Sequence, residues 1–108
     1  MVYEFITDEK EALETVKKNG YALKYVLEQT PEVCLAAVKE KADALRYVIN
    51  QTPEVCLEAV RQNGIVLQYV RNQTSEICLE AVKQNKLSLQ LVRDKDLFYK
   101  LKYEFNID

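Results

Sequence analysis

Three cysteines recur at one interval and are the first side chains with chemistry to consider. Cys34, Cys56 and Cys78 hold the same place in successive copies of a repeated segment. A disulfide needs Cα atoms within about 7 Å, whereas neighbouring helices pack roughly 8–10 Å apart. The sequence has no histidine to complete a common zinc site, and Ala12 stands one interval before Cys34. We therefore interpret the thiols as small buried side chains and predict no metal and no cofactor.

Basic side chains recur at the same interval, as Lys17, Lys39, Arg61 and Lys83. A column of cations about 10 Å apart could follow a phosphate backbone, as in a single-stranded nucleic-acid binder. A base near a helix C-terminus is also stabilising without any ligand. Because the formal net charge is −2, we favour the second interpretation and do not expect nucleic acid as the partner.

Aromatic side chains form a further column, in which Tyr25, Tyr47 and Tyr69 are followed by Leu91. Helical repeats that bind RNA can stack one base per unit on residues of this kind. Replacement by leucine indicates that the position needs bulk rather than an aromatic face. We therefore interpret the column as core or inter-repeat packing.

The sequence offers little material for catalysis. Without histidine, it lacks the commonest general base and the commonest metal ligand. Ser75 and Ser88 lie in no nucleophile motif, and neither glycine belongs to a phosphate-binding loop. The acidic column of Glu14, Glu58 and Glu80 is interpreted as solvated rather than as a converging pair. We therefore predict that the chain is not an enzyme.

Length and composition predict one globular domain over residues 1–108. The content of 48% hydrophobic and 30% charged residues is typical of a folded protein. No stretch approaches the roughly 18 apolar residues that span a bilayer. The N-terminus lacks the layout of a secretory signal, and an odd number of cysteines fits a reducing compartment. We therefore expect a cytoplasmic protein with no membrane contact.

The elements that position these columns are tandem repeats, which align with one another without gaps. Each unit predicts two short helices, neither of which could bury its apolar face alone. Stacking on the neighbouring unit supplies the missing contacts, which is how a solenoid is stabilised. The sequence therefore predicts an all-α solenoid of 22-residue helix-turn-helix repeats. Units 1 to 4 are residues 7–28, 29–50, 51–72 and 73–94.

Residue types at the predicted helix ends support this division. Threonine opens units 2 to 4 as an N-cap, and Asp8 has that place in unit 1. Pro31 and Pro53 follow at the first helical position, where a missing N–H costs nothing. Gly20 and Gly64 are expected to end the first helix in the left-handed conformation. The capping threonines are Thr30, Thr52 and Thr74.

Both ends depart from the repeat and are interpreted as caps. Residues 1–6 are predicted to be the remnant of a preceding second helix, because Tyr3 lies one interval before Tyr25. Residues 95–108 are predicted to form a closing helix that starts at Asp96. Because complete solenoids need capping segments, these ends indicate a whole protein. Aromatic residues of the closing helix could seal the stack or dock a partner: Phe98, Tyr99, Tyr103 and Phe105.

The unit QTPEVCLEAVRQNGIVLQYV resembles a tandem helical repeat domain of unknown function. Such domains occur in proteins of giant DNA viruses and in effectors of intracellular bacteria. The resemblance covers about residues 9–94 and implies a helical repeat fold without catalytic residues. For a viral or effector protein it also implies the host cytoplasm. The matching residues are Ala59-Val60, Asn63-Gly64 and Leu67-x-Tyr69-Val70, with weaker copies in the other units.

Positions that vary between units are expected to mark the functional surface, because shared residues mostly build the scaffold. Leu27 and Ile49 could mark such a surface, or could pack beneath the following inter-repeat loop. The predicted contacts with an unidentified protein partner are Tyr21, Leu27, Ile49, Ile65, Arg71 and Arg93.

The predicted function is therefore a non-enzymatic protein–protein interaction module or adaptor. One alternative is a self-assembling structural spacer, in which the closing helix joins two copies as a homodimer. A second alternative is single-stranded nucleic-acid binding through the basic column.

Overall fold

The computed structural model describes residues 5–108 of the chain, and these confirm the predicted all-α class. Among them, five α-helices alternate with four 3-10 helices. The α-helices are α1 (Glu9–Lys18), α2 (Pro31–Glu40), α3 (Pro53–Gln62), α4 (Ser75–Gln84) and α5 (Lys95–Glu104). The 3-10 helices are η1 (Gly20–Tyr25), η2 (Ala42–Tyr47), η3 (Gly64–Tyr69) and η4 (Lys86–Leu91).

The predicted N-caps of α1 to α4 are confirmed. The Thr52 hydroxyl accepts a hydrogen bond from the Val55 N–H at 3.2 Å, and Pro53 fills the first helical position. Asp8 caps α1 in the same way, with its carboxylate 3.1 Å from the Glu11 nitrogen. Because the cap recurs in every unit, α1 to α4 begin at the same position of their units.

The α-helices end differently from the prediction. Asn63 caps α3 in an extended conformation at φ −150°, and its side chain accepts from the Ile65 N–H at 3.2 Å. No glycine among the described residues has a positive φ. Gly64 is needed for close approach instead, because an added Cβ would meet the Ala81 carbonyl oxygen and lie 2.6 Å from Ser88 Oγ. The predicted left-handed stop is therefore wrong at both glycines.

The second helix of each unit is a six-residue 3-10 helix. Leu67 lies in η3, and Val70, three residues later, is the residue that caps this helix. Both are buried, with at most 1% exposure. Val70 then leaves the helix in an extended conformation, which turns the chain towards the next unit.

A glutamine side chain closes each of units 2, 3 and 4, and we call this contact the glutamine clamp. In unit 3, Gln51 Nε2 donates to the Tyr69 carbonyl at 2.8 Å, and Gln51 Oε1 accepts from the Arg71 N–H at 3.0 Å. The Tyr69 carbonyl and the Arg71 N–H lie at and just beyond the end of η3, and the clamp gives both a hydrogen-bond partner. The clamps of units 2 and 4 are Gln29 with Tyr47 and Ile49, and Gln73 with Leu91 and Arg93.

Unit 1 has Thr7 in the place of the glutamine, and the backbone of Ile6 makes the equivalent bonds. The Ile6 N–H donates to the Tyr25 carbonyl at 2.8 Å, and the Ile6 carbonyl accepts from the Leu27 N–H at 2.9 Å. A backbone segment thus replaces a side-chain amide, and Ile6 forms an isolated parallel β-bridge with Val26.

The predicted partial helix over residues 1–6 is wrong where the structure describes it. Phe5 and Ile6 are not helical, because Ile6 is held in the bridge to unit 1. The rest of that prediction, including Tyr3, falls on residues 1–4 and lies outside the described residues.

The core consists of ladders to which each unit contributes one residue. The described elements in contact belong to the same unit or to adjacent units, so the molecule is elongated, with extents of 49 × 26 × 20 Å. No helix among residues 5–108 is long and apolar enough to cross a membrane. The most buried ladder is Leu23, Leu45, Leu67 and Leu89.

The closing helix α5 begins at Lys95, earlier than Leu97, where the repeat interval would place its start. Asp94 is its N-cap and accepts from the Leu97 N–H at 2.9 Å, so the predicted start at Asp96 is wrong. The shift places Leu101 in the core at 2% exposure. The helix ends at Glu104, within the predicted range of 95–108.

Candidate protein-binding surfaces

The cysteine column is buried against the glutamine clamps. Cys34, Cys56 and Cys78 are at most 3% exposed, and none forms a disulfide. Each thiol lies 3.6–3.7 Å from the Oε1 atom of a clamp glutamine. Burial raises the pKa of all three thiols. Their interpretation as small buried side chains is therefore confirmed.

The tyrosine column carries cations between its rings. Tyr47 and Tyr69 are half-buried and pack against the core. The Arg46 guanidinium carbon lies 5.4 Å from each of these two ring centroids. Lys24 Nζ lies 5.8 Å from the centroid of Tyr47. The predicted inter-repeat packing is confirmed for Tyr47 and Tyr69, with exposed cations lying over their rings.

Tyr21 and Ile65 occupy the position after the inter-helix turn in units 1 and 3. Tyr21 is 36% exposed, and its ring meets that of Tyr47 edge-on at a centroid distance of 6.3 Å. Its hydroxyl lies 3.4 Å from an Asp43 carboxylate oxygen. Ile65 is half-buried. Both remain predicted contacts with a partner.

Leu27 and Ile49 occupy the position after the extended residue that follows η1 and η2. They are 57% and 71% exposed. The alternative that they pack beneath an inter-repeat loop is therefore wrong. Two large aliphatic side chains at the same position of adjacent units lie in solvent.

Arginine occupies the same position in units 3 and 4. Arg71 Nη2 donates to the carbonyls of Val48 and Ile49 at 2.7 and 2.5 Å. Arg93 Nη2 donates to the carbonyl of Val70. Both predicted contact residues thus tie their own unit to the preceding one, a role that the sequence analysis did not assign to them.

The basic column lies at the C-terminal ends of α1 to α4, where Lys17, Lys39, Arg61 and Lys83 are exposed. Arg61 Nε and Lys83 Nζ contact the two carboxylate oxygens of Glu80 at 2.9 and 3.3 Å. The hydrogen bond from Arg61 is the main reason why the pKa of Glu80 is lowered. Glu80 has only 20% of its side chain exposed, so its interpretation as solvated is wrong.

An open groove of about 410 Å³ lies between α1 and α2, and we call it the α1–α2 groove. Its floor is apolar and half-buried, and its rim carries two lysines and two glutamates. The floor is Leu13, Leu35 and Ala36, and the rim is Lys17, Lys39, Glu32 and Glu40.

This groove was not predicted from the sequence. The available signal was Ala36, which interrupts the acidic column of Glu14, Glu58 and Glu80. A small residue in a column of long ones leaves space between neighbouring helices. The interruption was visible, but the space that it opens depends on how closely α1 and α2 approach.

The closing helix packs some of its aromatic residues against the core and exposes others to solvent. Phe98 and Phe105 pack against the core. Tyr99 and Tyr103 are 58% and 90% exposed. They line an open pocket of about 380 Å³ together with Lys102.

Part of the chain matches a known family model. Residues 52–98 match the family model of a domain of unknown function (DUF4116). The matched stretch runs from the N-cap of α3 to the first turn of α5, and confirms for those residues the resemblance to a domain of unknown function. No curated protein and no solved structure matches the chain. Among residues 5–108, no group of three or more Cys, Asp or Glu side chains is placed to hold a metal ion.

Proposed function

We propose that the chain is a non-enzymatic protein–protein interaction module, an adaptor built as an α-solenoid of 22-residue repeats. The regular spacing of α1 to α4 and the restriction of contacts to the same or adjacent units support the solenoid. Solenoid proteins hold a fixed scaffold with shared residues and bind with residues that vary between units.

The exposure of Leu27 and Ile49 is the observation that carries the proposal. Leu27 and Ile49 hold the same position in adjacent units, and at the next pair of units the Arg71 side chain reaches the Ile49 carbonyl. Adjacent aliphatic side chains in solvent are typical of a protein-contact surface. Leu27 and Ile49 are therefore the proposed centre of the contact.

The resemblance to repeat domains in proteins of giant viruses and in bacterial effectors supports the host cytoplasm as the compartment in which the contact forms. The proposed partner is a protein of the host cytoplasm. Arg71 and Arg93 serve first as ties between units in this proposal, and Tyr21 and Ile65 remain candidate contacts.

Affinity capture with matched variants tests the proposal. The double variant Leu27→Glu, Ile49→Glu should lose a protein that the wild-type chain captures from lysate of the source organism or its host. Gln90→Glu is the control, because Gln90 is exposed and its position holds no proposed contact in any unit. Nuclease-treated and untreated lysates separate a protein partner from nucleic acid. Equal capture by the double variant, with an unchanged melting temperature, would contradict the proposal.

A second candidate, self-association through α5, is favoured by the exposure of Tyr99 and Tyr103. Tyrosine is enriched in interface cores because it buries a large apolar area. Sedimentation at high micromolar concentration should then give a dimer, and Tyr103→Glu should restore the monomer. A monomer at that concentration would exclude this candidate.

A further inference from the structure

The α1–α2 groove has an internal counterpart between α3 and α4, which we call the α3–α4 seam. Each position that lines the groove has an equivalent two intervals later in the chain. The α3–α4 seam is therefore the equivalent surface with a long acidic side chain in place of the small one in the groove. The pairs that matter are Leu13 and Leu57, Lys17 and Arg61, Ala36 and Glu80, and Lys39 and Lys83.

A carboxylate occupies the seam. Glu80 extends from α4 and receives Arg61 Nε at 2.9 Å and Lys83 Nζ at 3.3 Å. The two cations come from adjacent helices, so the carboxylate bridges α3 and α4. The hydrogen bond from Arg61 lowers the pKa of Glu80, because it favours the charged carboxylate.

The groove has the cations without the carboxylate. Lys17 and Lys39 correspond to Arg61 and Lys83, but Ala36 replaces Glu80. Among the described residues, neither lysine forms an ion pair with a carboxylate. The floor of Leu13 and Leu35 is half-buried below them.

The glutamates on the rim do not fill this place. Glu40 Oε1 accepts from the Gly20 N–H at 2.5 Å, so this carboxylate is held at the turn between α1 and η1. Glu32 has Glu76 as its counterpart in the seam. Because Glu80 binds Arg61 in the presence of Glu76, a glutamate at that position does not prevent a second carboxylate from binding.

We propose that the α1–α2 groove binds a glutamate side chain of a partner protein, whose carboxylate takes the place between Lys17 and Lys39 that Glu80 takes in the seam. The aliphatic part of that side chain would lie on Leu13 and Leu35. The groove volume of about 410 Å³ admits an aliphatic neighbour of the glutamate as well. The partner segment is therefore acidic and aliphatic.

This inference depends on the proposed function only in that the occupant is a protein segment. None of the residues that line the groove belongs to the proposed contact at Leu27 and Ile49. The variant Leu27→Glu, Ile49→Glu should therefore keep its affinity for a groove ligand. A failure of one proposal is then distinguishable from a failure of the other.

The first test fills the groove from within. Ala36→Glu places a carboxylate where the repeat has Glu80, and Ala36→Gln adds the same bulk without charge. The glutamate variant should melt at a higher temperature than the glutamine variant at pH 7 and low salt. The difference should vanish in high salt, because exposed ion pairs are screened. Equal melting temperatures at low salt would show that Lys17 and Lys39 do not hold a carboxylate.

The second test supplies the carboxylate from outside. The probe is a fluorescent library of short peptides with Glu or Gln at the centre and aliphatic or random flanks. The full chain should bind the Glu peptides at least tenfold more tightly than their Gln counterparts. Lys17→Gln and Lys39→Gln should each weaken binding roughly tenfold, because each removes one of the two cations that would hold the carboxylate.

Controls make the second test decisive. Ala36→Glu should abolish peptide binding, whereas Lys18→Gln should not affect it, because Lys18 is exposed on α1 but does not line the groove. The proposal is overturned if no peptide binds, if Gln and Glu peptides bind equally, or if Ala36→Glu binds as the wild type does. It is also overturned if these lysines bind a single-stranded oligonucleotide instead of the peptides.

Discussion

At the end of unit 3 the Arg71 side chain reaches back to two carbonyls of unit 2, whereas at the end of unit 2 the Ile49 side chain is 71% exposed. The two positions are equivalent, and both follow a 3-10 helix that a glutamine clamp closes. The Arg71 side chain is hydrogen-bonded within the fold, whereas the Ile49 side chain is exposed to solvent and accessible to a partner.

The helix seams repeat this contrast. Glu80 joins Arg61 to Lys83 across the α3–α4 seam, whereas Ala36 leaves the α1–α2 groove open. At these two positions, side chains of units 3 and 4 are bonded within the fold, whereas those of units 1 and 2 are not. Because both halves share caps, clamps and core ladders, the difference lies in the surface and not in the scaffold.

The largest expected effect tests the shared scaffold. Gln51→Ala removes both clamp bonds of unit 3 and should lower the free energy of unfolding by about 2–3 kcal/mol, because two backbone groups lose their partner. Thr7→Ala is the matched change in unit 1 and should have almost no effect, since the backbone of Ile6 makes the equivalent bonds there. Chemical denaturation measures both. Similar losses in the two variants would contradict this account of the N-terminal end.

The second-largest effect is expected when the residue types at positions 49 and 71 are exchanged. Arg71→Leu should cost about 1–2 kcal/mol of unfolding free energy, because the carbonyls of Val48 and Ile49 lose a charged donor. Ile49→Arg should offer the same donor to the carbonyls of unit 1 and should not destabilise the protein. Thermal melts of both variants at equal salt concentration test this exchange. A stability loss in Ile49→Arg similar to that in Arg71→Leu would show that the two positions are not equivalent.

A smaller effect comes from Ser88, which replaces the alanine or valine of other units in the core. It is fully buried, and its hydroxyl has no hydrogen-bond partner among the described residues. Ser88→Ala should therefore raise the free energy of unfolding by about 1 kcal/mol. Ala44→Ser makes the reverse change in unit 2 and should lower it. Stability changes of the same sign in the two variants would contradict this explanation.

The smallest effect is the pH dependence of the α3–α4 seam. Because the folded-state pKa of Glu80 is lowered, its contribution to stability is present above the ordinary glutamate pKa and is lost as pH falls through the lowered value. Wild type and Glu80→Gln should therefore differ in unfolding free energy at pH 7 and converge towards pH 3. Glu58→Gln is the control in the same column. A difference that does not change with pH would rule out the Arg61–Glu80 contact as its source.

Local chemistry made part of the fold predictable from sequence. Threonine followed by proline is typical of an N-cap and the first helical position. The caps at Thr30 and Thr52 are where the sequence predicts them. The end of the first helix was not predictable in this way. Glycine after asparagine suggests a left-handed stop, but Gly64 is selected by the approach of Ala81 and Ser88 from the next unit. Such a constraint is absent from the local sequence.

The candidate surfaces depend on contacts between units even more strongly. Arg71 looks like a solvent-exposed variable residue until the end of unit 2 brings its carbonyls within reach. From the sequence alone, Ala36 is only a small residue in a column of glutamates. The packing of α1 against α2 makes it part of a groove. Variation between units identifies the surface positions that differ. Whether a side chain at such a position is bonded within the fold depends on the groups that the neighbouring unit brings close to it.

Site-specific cross-linking tests the central claim, that the N-terminal half carries the partner contact. A photoreactive phenylalanine analogue at position 49 should give a protein adduct in lysate of the source organism or its host. The adduct should survive nuclease treatment and should be lost when Leu27→Glu is added. The same analogue at position 90 should give no such adduct, although Gln90 is also exposed. An adduct from position 90 alone, or identical adducts from both positions, would contradict the account.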